Sequence, residues 1–207
     1  MVASFETERL RLRPFTPADL ERLVELHGDA EVMRYVTGTP TPREVVERTV
    51  LPRFLRHDQC RPALGVWAAE EREGGAFVGW FSLKRRPGAG NLEAELGYRL
   101  ARAAWGQGYA TEGARALVAR AFALGMRRVV ANVYEENLAS RRVLEKLGMT
   151  LVRRFKPTPE ALARGVTFEP APTEVWDGDE LEYALQVGAS GPPAAGRTRR
   201  AARRPAG

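Results

Sequence analysis

Two short segments of the chain hold residue types at spacings that chemistry would need. The first is Trp105-Gly106-Gln107-Gly108-Tyr109-Ala110-Thr111-Glu112, just ahead of an amphipathic stretch. Small residues let the backbone turn tightly. The first amides of a helix have no acceptor inside it, and the helix dipole adds positive charge there. Such a place binds phosphate, so the amides of Gln107, Gly108, Tyr109, Ala110 and Thr111 could cradle a diphosphate. An ordinary glycine-rich strand-to-helix turn fits the same residues equally well. The segment is not a P-loop, because it lacks Gly-Lys-Ser/Thr. Nor is it a dinucleotide fingerprint, because Thr111 stands at the third glycine position. ATP and NAD are thereby disfavoured. The second segment is Glu136-Asn137-Leu138-Ala139-Ser140, followed by Glu145-Lys146-Leu147-Gly148-Met149. Asn137 suits a helix cap and Gly148 a helix stop, so helix physics alone explains it without any chemistry.

The elements that must position these segments follow from periodicity. Within residues 5–13, FETERLRLR, Leu10 and Leu12 alternate with Arg9, Arg11 and Arg13, which predicts one half-exposed strand ended by Pro14. Thr16-Pro17-Ala18-Asp19 opens a helix, with Thr16 as cap and Pro17 at its first position. A second helix is predicted over 42–55, strands over 64–70 and 76–83 with a turn at 71–75, and a strand over 92–100 after the turn at 86–90. A helix over 111–124 stops at Gly125, a strand follows at 128–134 and a helix at 138–147. Strands at 150–155 and 180–186 close the domain. The order of elements implies an α/β domain, 1–187, with a mixed sheet and helices on both faces. Residues 157–172 are Pro-rich and are expected to form a surface loop that shapes the acceptor groove.

Composition narrows the setting. The chain has 207 residues, 44% hydrophobic and 28% charged, the balance of a soluble globular protein. It has no apolar run of the roughly 18–20 residues a membrane helix needs. The N-terminus lacks a basic start and an apolar stretch, so a cytoplasmic setting is expected. One cysteine, Cys60, excludes an internal disulfide and any multi-cysteine zinc site. The net charge of +6 is mostly tail: residues 188–207 hold five arginines and no acid, leaving 27 basic against 26 acidic residues before them. That Ala/Gly/Pro/Arg tail cannot bury apolar area and is expected to be disordered. Its arginines could attract phosphate backbones, but no aromatic residues interleave, so nucleic-acid binding beyond weak tail contacts is not expected. His27 and His57 share no motif with Cys60. Trp67, Trp80 and Phe81 read as core or groove wall, and Trp176 as a packed aromatic at a turn.

Taken together, the two segments carry a resemblance. WGQGYATE resembles the acyl-CoA pyrophosphate loop of the GNAT N-acetyltransferase superfamily, and NLASRRVLEKLG that superfamily's next motif. ETERLRLR and AELGYRL are similar to the RimJ/RimL branch, the ribosomal-protein N-terminal acetyltransferases. The resemblance implies the GNAT acyl-CoA N-acyltransferase fold, with a splay between strands 92–100 and 128–134. It also implies acetyl transfer from acetyl-CoA to a primary amine, either a small molecule or a protein N-terminus, without a metal and commonly from a dimer. In such proteins the pantetheine arm lies in the splay, which would make the backbone near Gly97, Tyr98 and Arg99 the source of oxyanion donors. Trp105 departs from the usual Gln or Arg, although an aromatic residue is typical of the branch. Leu144 stands where many members carry a tyrosine acid. Ser140 then takes the role of donor to the leaving sulfur, and Asn137 caps the loop beside it. Glu95 is the first choice of base and Glu93 the second, on the same strand face. An acid from Asp177, Asp179, Glu180 or Glu182 is the other possibility. A non-catalytic acyl-CoA-binding module is the competing reading, because Leu144 replaces the tyrosine.

Overall fold

The structure is a computed structural model that describes residues 4–60, 64–86, 92–156 and 178–187, with only the backbone of 57–60. Eight strands form one sheet: β1 (Phe5–Glu6), β2 (Leu10–Pro14), β3 (Gly65–Glu71), β4 (Phe77–Lys84), β5 (Glu93–Leu100), β6 (Arg128–Tyr134), β7 (Thr150–Phe155) and β8 (Glu180–Gln186). Their order is β1-β2-β3-β4-β5-β6-β8-β7. The helices are α1 (Leu20–Gly28), α2 (Ala30–Met33), α3 (Arg43–Val45), α4 (Leu51–Cys60), α5 (Tyr109–Ala123) and α6 (Leu138–Lys146).

The β3 run GVWAA is apolar without a break because helices cover both sides of the sheet. Val66 and Ala68 pack with Leu23 and Leu26 of α1 and Phe54 of α4. Trp67 and Ala69 pack on the other face with Leu117 and Ala121 of α5 and Leu144 of α6. This is the mixed sheet with helices on both faces that the element order implies.

Every strand pair is antiparallel except β5–β6. Parallel neighbours need a crossover, and α5 supplies it. The parallel pairing is short: Glu93 meets Arg128, Ala94 meets Val129 and Glu95 meets Val130. Beyond that point β5 stays paired with β4 as far as Leu100, and β6 with β8 as far as Tyr134. The seam between β5 and β6 is therefore splayed open along 96–100 and 131–134.

Three expectations need correction. FETERLRLR is a hairpin rather than one strand: the Thr7 amide donates to Leu10 O at 2.8 Å, and the Leu10 amide returns a bond to Thr7 Oγ1 at 3.0 Å. A hydroxyl that bonds nearby backbone competes with strand continuation, and alternation alone does not reveal it. The second helix runs on to Cys60 and contains a π-helical segment, Val46–Val50. Helix α5 begins at Tyr109, two residues early, because Gly108 takes the capping position. The turn at 87–90, the loop at 157–172, Trp176, Asp177 and the tail lie outside the described residues, as do the side chains of His57 and Cys60.

Candidate active site

The start of α5 is built for an anion. Gly108 caps it at φ +84°, a left-handed conformation that residues with a Cβ rarely adopt. Among the described residues the amides of Gln107 to Thr111 make no backbone hydrogen bond ahead of the helix ladder, which begins with Glu112 N to Gly108 O at 3.1 Å. The β1–β2 hairpin holds this start in place. Arg9 donates through its amide and Nε to the two Glu112 carboxylate oxygens, both at 2.8 Å, and through Nη1 to Gln107 O at 2.9 Å. The Thr7 hydroxyl donates to Glu112 Oε1 at 2.6 Å. Burial pushes the Glu112 carboxyl up, but the bonds from Thr7 and Arg9 outweigh it and hold it below the ordinary range. The Arg9 guanidinium also lies 4.5 Å over the Tyr109 ring, whose hydroxyl donates to Glu71 at 2.8 Å. Sequence reasoning gave Arg9 no part beyond an exposed strand position. Nothing local signals it, because an acid such as Glu112 in a first helical turn is already favoured by the helix dipole.

The open seam has a different chemistry on each side of β5. The Ala101 amide bonds Val78 O, so by alternation the backbone groups of Glu95, Gly97 and Arg99 pair with β4. Those of Leu96, Tyr98 and Leu100 face the seam. Of the trio Gly97, Tyr98 and Arg99, Tyr98 alone turns its amide to the gap. The Leu100 carbonyl accepts from the Trp105 indole at 2.9 Å, tying the loop to the seam. Gly106 and Ala110 sit in the same loop and first turn.

On the α6 side, the Asn137 carboxamide oxygen accepts the Ser140 amide at 3.1 Å, the N-cap bond expected of this residue. The Ser140 Oγ lies 2.8 Å from the Tyr98 hydroxyl. Burial pushes the Tyr98 phenol up to about 12, against a smaller lowering by the Ser140 bond. Leu144 is buried in the core, so no hydroxyl comes from that position.

The opposite side of β5 carries acids. Glu93 and Glu182 are both bridged by Arg86 and Arg128, with the closest contacts at 2.5 Å for Arg128–Glu93 and Arg86–Glu182. Glu95 and Glu180 have no such partner among the described side chains. Burial pushes the Glu95 carboxyl up, and nearby Lys84 only partly offsets this. Glu180 is pushed up to about 7, by burial first and by the charge of Glu95 second. The buried Ser82 Oγ and Asn132 Oδ1 have no hydrogen-bond partner among the described residues. Strand register puts both on the face of Glu95 and Glu182. Asp179 is held by Arg154 at 3.3 Å. His27 packs at 0% exposure against Arg99.

Among the described residues no group of three or more His, Cys, Asp or Glu could hold a metal, and no helix is long and apolar enough to cross a membrane. A family profile described as an acetyltransferase (GNAT) domain matches residues 9–150. The chain is 35% identical over 161 residues to the FsC-acetyl coenzyme A-N(2)-transacetylase of Aspergillus fumigatus, covering 73% of this chain and 67% of that one. An acetyltransferase (GNAT family) from Bacillus anthracis superposes with TM-score 0.71 at 24% identity, over 89% of this chain and 98% of its own. Spermidine N-acetyltransferase from Vibrio cholerae, solved with CoA and spermine, superposes with TM-score 0.63 at 16% identity, over 86% and 95%. The chain belongs to the GNAT acetyltransferases, a family of acetyl-CoA-dependent enzymes.

Proposed function

We propose that the protein moves acetyl from acetyl-CoA directly to the nitrogen of a primary amine, a small molecule or a protein N-terminus, as the RimJ/RimL branch does. One observation carries this reading: the seam between β5 and β6 opens beyond Glu95 and Val130, beside a helix start whose amides make no backbone hydrogen bond among the described residues. The amides of Gln107, Gly108, Tyr109, Ala110 and Thr111 hold the diphosphate, with Arg9 adding charge. The seam-facing Tyr98 amide donates to the thioester oxygen as it gains negative charge. Ser140 donates to the departing sulfur, and Asn137 fixes the turn that carries Ser140.

The acceptor amine must lose a proton. Glu180 takes it, because a base works best when its pKa lies near the operating pH, and Glu95 holds the cation beside it. Glu93 is neutralised by Arg128 and takes no part in the transfer.

Calorimetry with CoA and an acceptor screen test the reading. The screen contains acetyl-CoA with spermidine, aminoglycosides and short peptides bearing free N-termini. Heat on binding and thiol release with at least one amine are expected; no heat with CoA sinks the assignment. Ser140→Ala lowers kcat about 10²-fold and leaves CoA affinity nearly unchanged. Full activity in that variant removes Ser140 from the chemistry.

A further inference from the structure

A hydroxyl has one hydrogen, so a serine that serves a leaving group must have that hydrogen free. Tyr98 and Ser140 admit two arrangements. In one, the phenol donates to Ser140 Oγ and the serine hydrogen points to the cleft. In the other, the serine donates to the phenol oxygen, the phenol donates to the Ser140 carbonyl, and nothing is left for sulfur. Both share the 2.8 Å contact between the phenol oxygen and Oγ, but only the second also needs the phenol to reach the Ser140 carbonyl oxygen, which lies 3.3 Å away. The shorter distance lies at the usual O–H···O length and the longer beyond it.

We infer that Tyr98 is a positioning residue: by donating to Ser140 Oγ, its phenol turns the serine hydrogen outward to the sulfur that leaves. The inference rests on the acetyl-transfer reading above, and it explains how a chain with Leu144 at the usual tyrosine position still uses a phenol. The phenol comes from β5 rather than α6.

Two further observations support it. The phenol is pushed up to about 12 by burial, so it stays protonated and remains a donor at any working pH. The ring is also well held. Its centroid lies 6.1 Å from that of Phe81, and Phe81 lies so close to α5 that a Cβ on Gly113 would fall 2.4 Å from it. When the carbon–sulfur bond breaks, its electron pair goes to sulfur, the Ser140 O–H hydrogen-bonds to it, and no proton leaves Tyr98.

The test needs no acceptor. CoA is bound at saturation, and its thiol is titrated by thiolate ultraviolet absorbance in the wild type, Tyr98→Phe, Ser140→Ala and the double variant. The expected result is a midpoint raised by about half to one pH unit in Tyr98→Phe. Ser140→Ala should raise it at least as far, and the double variant should match Ser140→Ala. A ring-fluorinated tyrosine at 98, a stronger donor of the same shape, should move the midpoint down; this arm stands even where Tyr98→Phe folds poorly. An unmoved midpoint in Tyr98→Phe overturns the inference. A lowered one also overturns it, because removing the phenol would then have freed the serine hydrogen. If Ser140→Ala does not move the midpoint either, the role of Ser140 fails as well, and no heat with CoA overturns both.

Discussion

Two groups of buried and half-buried carboxylates packed on or against this sheet meet opposite fates. Asp19 and Glu70 are 2% and 4% exposed and are surrounded by arginine. Arg13 Nη2 lies 2.6 Å from both, Arg22 lies 2.6 Å from Glu70, and Arg11 lies 2.8 Å from it. Burial pushes Glu70 up, yet its three arginines pull it down to about 2. Around β5, Arg86 and Arg128 are taken up by Glu93 and Glu182, and Glu95 and Glu180 are left to burial. Burial is common to both groups; the number of donors within reach decides the outcome. Where donors are plentiful, the carboxylates join β2, β3 and the entry to α1. Where they run short, a carboxylate keeps an affinity for protons near neutral pH, which is what a base needs.

The largest break in this comparison comes from Arg13→Ala. It removes both Asp19 contacts from Arg13 and leaves buried charge short of donors, at a cost of about 3–5 kcal/mol. Urea unfolding at pH 7 measures it. The Glu70 carboxyl is depressed, so the stability it contributes is present above its ordinary value near 4.5 and is lost as pH falls through about 2. The gap between variant and wild type should therefore narrow in acid. Acetyl transfer below the melting range should be unchanged, because this group lies outside the seam.

Glu180→Gln should act with the opposite sign. Its carboxyl is raised from 4.5 to about 7, so its contribution is fully present below 4.5 and is lost as pH rises through 7. At about 1.4 kcal/mol per unit, the ionised side chain costs the wild type at most about 3.5 kcal/mol at pH 8. The variant should be the more stable protein at pH 8 and indistinguishable at pH 4. Glu70→Gln should be the less stable one at pH 8; if both substitutions move stability in the same direction, the contrast between the two groups is false. Turnover in Glu180→Gln should fall at least about 10²-fold.

How far the sequence carried this is best seen residue by residue. The unbroken apolar run of β3, the Thr16–Asp19 helix entry and the glycine loop before α5 are local patterns, and local physics reads them. The Asn137 cap is of the same kind. The turn at Thr7 was hidden because only residues 9–13 alternate, and the polar run Glu6-Thr7-Glu8-Arg9 carries no periodicity that would mark where a strand breaks. The π segment at Val46–Val50 was hidden because a helix's apolar spacing tolerates one slipped turn. Glu180 was one of four acids the closing segment offered, and what singles it out, like the role of Arg9, lies in partners 85 and 103 residues away, Glu95 and Glu112. Tyr98 was placed correctly on its strand, but alternation gives a face and not the hydroxyl that waits there.

The smallest effect separates the two unpaired acids. Burial is the leading reason that Glu180 sits near 7, and the Glu95 charge is the next. Glu95→Gln removes the second cause and leaves the first. If Glu180 takes the amine's proton, kcat/KM in the wild type climbs with pH through about 7. In Glu95→Gln that climb moves to lower pH yet stays above the ordinary 4.5, with turnover on the plateau largely kept. A loss of turnover across the whole pH range would instead make Glu95 the proton acceptor. The shared burial would then have protected the base rather than tuned its neighbour, and Glu180 would be left as a charge that holds the amine.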